Sequence, residues 1–446
     1  MEIKLVTTIY KENKPKTLQD TAKFYEDKGV EMQVVNLYPQ IEYQTFDGFG
    51  GAITEASGYT FSRMSEENQK RILDAYFGEE GNNYKFVRTH IDSCDFSVSQ
   101  YEAMSDPSDR EFKTFTLERD EKYILPLLRA AQETAGEPLN IMLSPWSPPA
   151  FMKTNGQRIR GGALKKEYRE FWAEYVCQYI KEYMKKGFEV KMITIQNEPN
   201  ANQSWDSCLY NAEDEKEFLR DFLYPALVRN NLESVEVCIW DHNKERVFER
   251  ACTIIDEETD KMVQNVAFHW YTGDHFDAVK LVRDKFPDKK LIHSEGCVEY
   301  SRNKSRGPLK YAQIYAHDII GNLNAGMNAF IDWNIILDEK GGPNHVENYC
   351  DAPIMCDTVN DKIEKQLTYT YIGHFSRFIK PGAKRIASTK YTNNLEVVAV
   401  KNPDDSITVV FLNSSKESIP VKIRINGQVT ELTIPEEAIV TGIISK

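Results

Sequence analysis

Two glutamates stand where short apolar runs give way to polar residues. Lys191-Met192-Ile193-Thr194-Ile195-Gln196 leads into Asn197-Glu198-Pro199, and Leu291-Ile292-His293-Ser294 leads into Glu295-Gly296. Two carboxylates facing each other across a pocket can break a glycosidic bond: one protonates the leaving oxygen, and the other attacks the anomeric carbon or activates water. Neither glutamate is informative alone in a chain with 68 acidic residues. Their company is what counts. Ser144-Pro145-Trp146-Ser147-Pro148-Pro149, His269-Trp270-Tyr271 and Asp332-Trp333-Asn334 end three further runs with an indole among polar groups. Sugars offer C–H faces to aromatic rings and hydroxyls to Asn, Asp and His, so a rim of this composition suits a pyranose. Any one Trp could be a packing residue, but three at strand ends are hard to assign to packing alone.

The elements that must position these groups read as a strand followed by an amphipathic helix, eight times over. The strands are expected at Phe46 to Gly50, Phe86 to Ile91, Asn140 to Ser144, Val190 to Gln196, Val235 to Trp240, Val266 to Tyr271, Lys290 to Ser294 and Met327 to Trp333. They are short and bounded by polar or Gly-containing segments, as buried parallel strands are. Among the helices, Tyr168, Phe171, Trp172, Tyr175, Val176, Tyr179, Ile180, Tyr183 and Met184 draw one apolar stripe that closes in Lys185-Lys186-Gly187. Ser65 is a candidate N-cap, with Glu66 and Glu67 at the positive end of the helix dipole and Gly78 beyond its end.

Eight strand–helix units predict a closed (β/α)8 barrel, in which loops at the strand C-termini carry the chemistry, although an open doubly wound sheet shows the same alternation. The glycines of Gly48-Phe49-Gly50-Gly51 lack GxGxxG spacing and do not lead directly into a helix, which argues against nucleotide binding. After residue 380 the pattern turns to strands alone: Leu395 to Val400, Ile407 to Leu412, Ile419 to Ile425 and Glu431 to Ile434, with turns at Asn402-Pro403-Asp404-Asp405 and Asn426-Gly427. Ile3 to Tyr10 and Met32 to Tyr38 are expected to join them. The organisation predicted is therefore 1–42 as N-terminal strands of a β-sandwich, 43–380 as the barrel, and 381–446 completing a sandwich built from both chain ends.

Composition narrows the partners. A formal net charge of -13 opposes binding to nucleic acid or to an anionic membrane surface. No stretch approaches the roughly 20 apolar residues of a membrane span, and Met1 to Tyr10 lacks the basic and apolar regions of a secretory signal. A cytoplasmic enzyme is the default expectation, or a secreted one if a leader has been trimmed. The eight cysteines are scattered without zinc-site spacing and are expected to be reduced thiols. His269, His275, His293, His345 and His374 show no HExxH pattern. No metal and no cofactor is expected, and nothing in the sequence speaks to oligomeric state.

Taken together, these residues resemble glycoside hydrolase family 30, the family of glucosylceramidases and related β-glycosidases. The likeness runs in order through Gly48-Phe49-Gly50-Gly51-Ala52, Arg88, Ser93-Cys94-Asp95-Phe96-Ser97, Ser144-Pro145-Trp146, Lys153-Thr154-Asn155-Gly156, Asn197-Glu198-Pro199, His269-Trp270-Tyr271, Ser294-Glu295-Gly296-Cys297, Asp332-Trp333-Asn334, Gly341-Gly342-Pro343-Asn344 and Gly373-His374-Phe375-Ser376. It implies a barrel with an attached sandwich and retention of anomeric configuration. Glu198 then matches the family's acid/base and Glu295 its nucleophile. Asn197 would bond the sugar 2-hydroxyl, Asp95 and Trp146 its outer hydroxyls, and Trp333 and Asn344 would line the same pocket. Arg88 and Tyr271 would hydrogen-bond the nucleophile. The segment Asn202-Gln203-Ser204-Trp205-Asp206-Ser207-Cys208 departs from the aromatic-rich loop of lysosomal glucosylceramidases, which puts ceramide as the leaving group in doubt.

The reading favoured is an exo-acting β-glucosidase on small soluble β-glycosides or oligosaccharides. Its rivals are β-xylosidase, β-fucosidase, β-1,6-glucanase or xylanase action, and a carbohydrate-binding barrel that has lost catalysis. Cys297, two residues past Glu295, reads as a small buried filler with no catalytic part.

Overall fold

The computed structural model describes residues 1–303 and 306–445. Eight parallel strands close into a barrel: β1 (Gly48–Ala52), β2 (Phe86–Ile91), β3 (Asn140–Pro145), β4 (Val190–Thr194), β5 (Glu236–Asn243), β6 (Asn265–His269), β7 (Lys290–Glu295) and β8 (Ala329–Asn334), with β8 pairing back onto β1. The interior is packed with Phe86, Met142, Met192, Cys238, Ala267, Ile292, Ala329 and Ile331, so the barrel is a core and not a pore. Its girth forces one residue type on β1. A Cβ at Gly50 would sit 2.1 Å from the Phe86 carbonyl oxygen, so only glycine lets the two strands meet.

The first strand begins two residues later than the sequence suggests. Phe46 instead ends a thirteen-residue strand, Val34–Phe46, that belongs to the second sheet. Ser65 caps helix α1 (Glu66–Phe77), its side chain accepting from Asn68 N. In α2 (Arg169–Lys185) Trp172, Tyr175, Val176, Tyr179, Ile180 and Tyr183 are buried, while Met184 is left exposed. The stripe is not purely apolar in effect. Tyr175 donates its hydroxyl to Asp92 at 2.7 Å, and Tyr179 and Tyr183 donate theirs to Asp120 at 3.1 and 2.8 Å. The tyrosines thereby satisfy two carboxylates that burial pushes up to about 6 and about 7.

The second sheet has ten strands and folds over its own core of Ile3, Leu5, Val35, Leu37, Val409, Phe411, Val421 and Ile423 to make a sandwich. Both chain ends contribute: Glu2–Lys11 lies antiparallel beside Ala438–Ser445, with Glu2 opposite Ser445. Beyond the strands expected, it contains Lys14–Lys23, Ala383–Thr389 and Ala438–Ser445.

Helix α3 (Leu367–Ser376) of the barrel lies against the sandwich, and His374 is the polar point of that junction. Its Nδ1 is 2.8 Å from Thr441 Oγ1 and its Nε2 2.8 Å from Thr8 Oγ1, while the Thr441 hydroxyl donates to the His374 carbonyl at 2.8 Å. Burial pushes the imidazole down to about 3, so it is neutral in the fold. In the unfolded chain it binds a proton below about 6.5, so the stability tied to the neutral ring is present above that pH and is lost as pH falls toward 3. The melting temperature is therefore expected to fall between pH 7 and 4. His374→Gln, less stable at pH 7, should lose less over the same interval in thermal denaturation. An equal loss in both proteins would contradict the assignment.

Candidate active site

The C-terminal ends of the barrel strands are shaped by departures from regular pairing. Between β5 and β6 the register passes from Trp240–Ala267 to His242–Phe268, which leaves Asp241 in a bulge; between β6 and β7 it skips Ser294 in the same way. Bulges re-aim side chains, and here they turn Asp241 and Ser294 toward each other across His269. Glu198 has a left-handed backbone (φ 47°), as do Trp240 (73°) and Asp241 (49°). For residues other than glycine this costs about 1–3 kcal/mol each and persists only where neighbours enforce it. The enforcement is visible: Glu198 N donates to Asp241 O at 3.0 Å, and Asn197 N to Pro145 O at 2.8 Å. The candidate acid/base is thus hung between the ends of β3 and β5.

Arg88, on β2, is fully buried at the centre of the site. Its Nη1 lies 2.5 Å from Glu295 Oε2; its Nη2 donates to Asn197 Oδ1 at 2.8 Å and to Asp241 Oδ2 at 2.9 Å; its Nε donates to Ser144 Oγ at 3.0 Å. The indoles of Trp146 and Trp333, stacked at 5.4 Å, cover the guanidinium at 4.8 and 5.4 Å. Glu295 receives a second bond from the Tyr271 hydroxyl at 2.9 Å. Asp241 accepts in addition from Ser294 Oγ at 2.6 Å and contacts His269 Nε2 at 3.1 Å, while His269 Nδ1 lies 3.4 Å from Glu198 Oε1. One continuous polar chain, Glu295–Arg88–Asp241–His269–Glu198, therefore joins the two glutamates.

A single cavity is lined by Asp95, Trp146, Asn197, Glu198, Tyr271, Glu295 and Trp333. Its deep part is buried: Phe96, Trp146, Trp333 and Cys350 are each no more than 3% exposed. Two residues read from the sequence sit differently. Asn344 does not line the cavity; its Nδ2 donates to Asp95 Oδ2 at 3.2 Å from behind, its Oδ1 accepts from Val346 and Asn348, and Asn348 reaches the cavity in its place. Trp270 is a packing residue, wedged against Gly296 and Tyr315 with Nε1 donating to Cys297 O, because the regular part of β6 ends at His269 and turns the indole outward. Cys297 is buried but lies on the cavity wall, 3.6 Å from the Tyr271 hydroxyl. Asp241, His242, Trp205 and Asn348 were not singled out. The available signal was the Arg at the middle of an apolar strand, which demands buried anions.

Protonation follows from these contacts. His269, between Asp241 and Glu198 and near Glu295, is raised to about 9 although burial opposes it. Burial also opposes ionisation of Glu198, but the hydrogen bond from His269 and the charge of His242 and His269 take it down to about 2. Against the same burial, Arg88 and His269 hold Asp241 far below the usual carboxylate range. Both shifts favour the proton on His269 over Glu198. Asp95 goes the other way: burial, then the charge of Glu295, lifts it to about 8. Among the described residues no group of three His, Cys, Asp or Glu side chains could hold a metal ion.

Two carboxylates, one just past β4 and one at the end of β7, in a pocket lined by paired indoles, are the equipment of an enzyme that cleaves glycosidic bonds. Residues 46–379 match the model of the glycosyl hydrolase family 30 TIM-barrel domain, and residues 382–442 that of the family's β-sandwich domain. The chain is 33% identical over 407 residues to the lysosomal acid glucosylceramidase of Mus musculus, covering 87% of this chain and 79% of that one. It is 25% identical over 426 residues to an endo-1,6-β-D-glucanase of Neurospora crassa, covering 91% and 86%. The crystal structure of SrfJ from Salmonella typhimurium superposes over 100% of both chains with a TM-score of 0.96 at 35% identity. The chain belongs to glycosyl hydrolase family 30, a β-glycosidase with a carbohydrate or glycolipid substrate.

The charge distribution is open to direct measurement. Imidazole 15N shifts across pH 5–10 are expected to show His269 losing its proton near 9. In Asp241→Asn that titration should drop by at least about one pH unit, since one of its two carboxylate partners is gone. A His269 that is neutral at pH 7 in the unaltered protein would undo this account.

Proposed function

We propose that this chain is a retaining exo-β-glucosidase that releases single glucose units from the non-reducing ends of short soluble β-glycosides. The observation that supports this reading is the buried side of the cavity: Asp95, backed by Asn344, lines it together with Phe96, Asn348 and Cys350, an arrangement that favours one terminal sugar over a continuing chain. Asp95, carrying a proton at neutral pH, can donate to a sugar hydroxyl as well as accept from one, and a site built to pair a hydroxyl rejects sugars that lack it. Similarity to the Neurospora endo-1,6-β-glucanase favours an endo reading, but that arrangement weighs against it.

The proposed reaction has two displacements. Glu295, hydrogen-bonded by Arg88 and Tyr271, attacks the anomeric carbon as the bond to the leaving oxygen breaks and that oxygen takes a proton from Glu198. His269, whose Nδ1 lies 3.4 Å from Glu198 Oε1, can supply that proton, and a sugar covering Glu198 favours its neutral form. Asn197, with its Oδ1 engaged by Arg88, presents Nδ2 to the sugar 2-hydroxyl, whose contacts strengthen in the oxocarbenium-like transition state. Water then attacks the glycosyl–enzyme, giving its proton to Glu198, and Glu295 departs. The first-formed sugar is the β-anomer.

Two experiments bear on this. Glu295→Gln should be inactive on every substrate, whereas Glu198→Ala should keep turnover of glycosides with good leaving groups and, with azide added, yield a β-glycosyl azide. Azide rescue of Glu295→Ala with an α-product would exchange the two roles. In a time course on gentiobiose and on a soluble β-1,6-glucan, chromatography should show glucose from both from the earliest points. Early mixed-length oligosaccharides from the polymer, with no glucose from gentiobiose, would replace exo by endo action.

A further inference from the structure

Two buried cations that touch neither glutamate converge on the segment Gln203–Ser207, which overhangs the cavity mouth. Lys153 is inaccessible to solvent, and its ammonium faces three neutral oxygens: Ser147 Oγ at 3.1 Å, Arg158 O at 3.4 Å, and Ser207 O. Arg158, 4% exposed, donates Nε to Asp206 Oδ1 at 2.7 Å, Nη1 to Ser147 O at 2.9 Å and Nη2 to Ser93 O at 3.2 Å. The backbones are tied as well, Arg160 N to Gln203 O at 2.8 Å and Ser207 N to Arg158 O at 3.0 Å. The Ser207 hydroxyl donates to Trp205 O at 3.1 Å. Burying an ammonium without a carboxylate is unfavourable, so this cluster is a costly way to fix a loop. What it fixes is an indole. Trp205, seven residues after Glu198, is only half-buried and lines the cavity, unlike Trp146 and Trp333 at its floor.

On one side the indole packs against the buried cluster that includes Phe96, Trp146 and Trp333, and the other residues lining the cavity near the mouth, Gln203, His242, Thr272 and Arg302, are polar. A single flat apolar face among hydrogen-bonding side chains matches a sugar ring, which stacks its C–H face and leaves hydroxyls at its edge. An acyl chain needs a continuous apolar wall, and among the described residues Gln203, His242, Thr272 and Arg302 interrupt one here. We propose that Trp205 is the platform on which the first residue of the leaving group stacks, that this residue is a sugar, and that the Lys153–Arg158 cluster holds the platform in place. The proposal rests on the exo-β-glucosidase reading and names the leaving group that the reading leaves open.

The test compares gentiobiose with β-glucosyl fluoride, whose leaving group is one atom and cannot reach Trp205. In Trp205→Ala the ratio of kcat/KM for gentiobiose to that for the fluoride should fall at least about fivefold, the scale of one ring stacking, with the rise in KM confined to gentiobiose. Trp205→Phe should recover most of the ratio. A structural role alone would lower both substrates together, so a ratio that falls less than fivefold in a folded Trp205→Ala overturns the proposal. A parent protein that cleaves the fluoride and a lipid-linked glucoside in detergent, but not gentiobiose, also overturns it while the glucosidase reading stands. A parent inert toward the fluoride removes that underlying reading instead.

Discussion

The site is organised around one buried positive charge. Arg88 has no water to fall back on, so each of its hydrogen bonds must be met by a group the fold delivers to a set place: the nucleophile candidate from β7, the amide of Asn197 from β4, Asp241 from β5 and Ser144 from β3. Removing one partner from such a buried pair costs about 3–5 kcal/mol, because the remaining charge is left uncompensated. Four strands are thereby obliged to end at one height. A lysine could not take this place, since the planar fork satisfies several acceptors at once whereas an ammonium is a point charge. The two indoles stacked over the guanidinium serve the cation and form the floor of the pocket together.

The demands of that charge explain the irregular backbone around it. Asp241 is the residue the ladder skips between Trp240–Ala267 and His242–Phe268, and its carboxylate reaches Arg88 and His269 from that bulge, at the expense of two left-handed residues. Gly296 answers the same crowding just past β7, where a Cβ would come within 2.8 Å of the Trp270 ring. Glu198, Trp240 and Asp241 bring three left-handed residues together at the site.

Much of this was legible in the sequence. Alternating strand and helix patterns marked eight units, and polar residues at strand ends marked Glu198, Glu295, Trp146 and Trp333, because burial and periodicity are local. Three things escaped for physical reasons. Lys14–Lys23 is an edge strand with both faces in water, so it needs no apolar alternation and shows none. Asp241 lies in a bulge, which has no signature in periodicity, and one more acid in an acidic chain draws no notice. Asn344 and Asn348 stand four apart in one loop, and which of them faces the cavity depends on how that loop folds back on Asp95.

The pairing of Glu2–Lys11 with Ala438–Ser445 has a consequence for how the chain is made. At about 5–20 residues per second on the ribosome, tens of seconds separate the synthesis of these neighbours. Throughout that interval the first hairpin can pair only with itself, and Ile3 and Leu5, which end in the sandwich core, have nothing to cover them. The barrel can assemble strand by strand as it emerges, but the sandwich cannot close until the last strand arrives. Any factor that shields exposed apolar surface during synthesis would find it on this hairpin, and an interruption of translation before Ala438 would leave a barrel whose sandwich is open on the side where Ala438–Ser445 belongs.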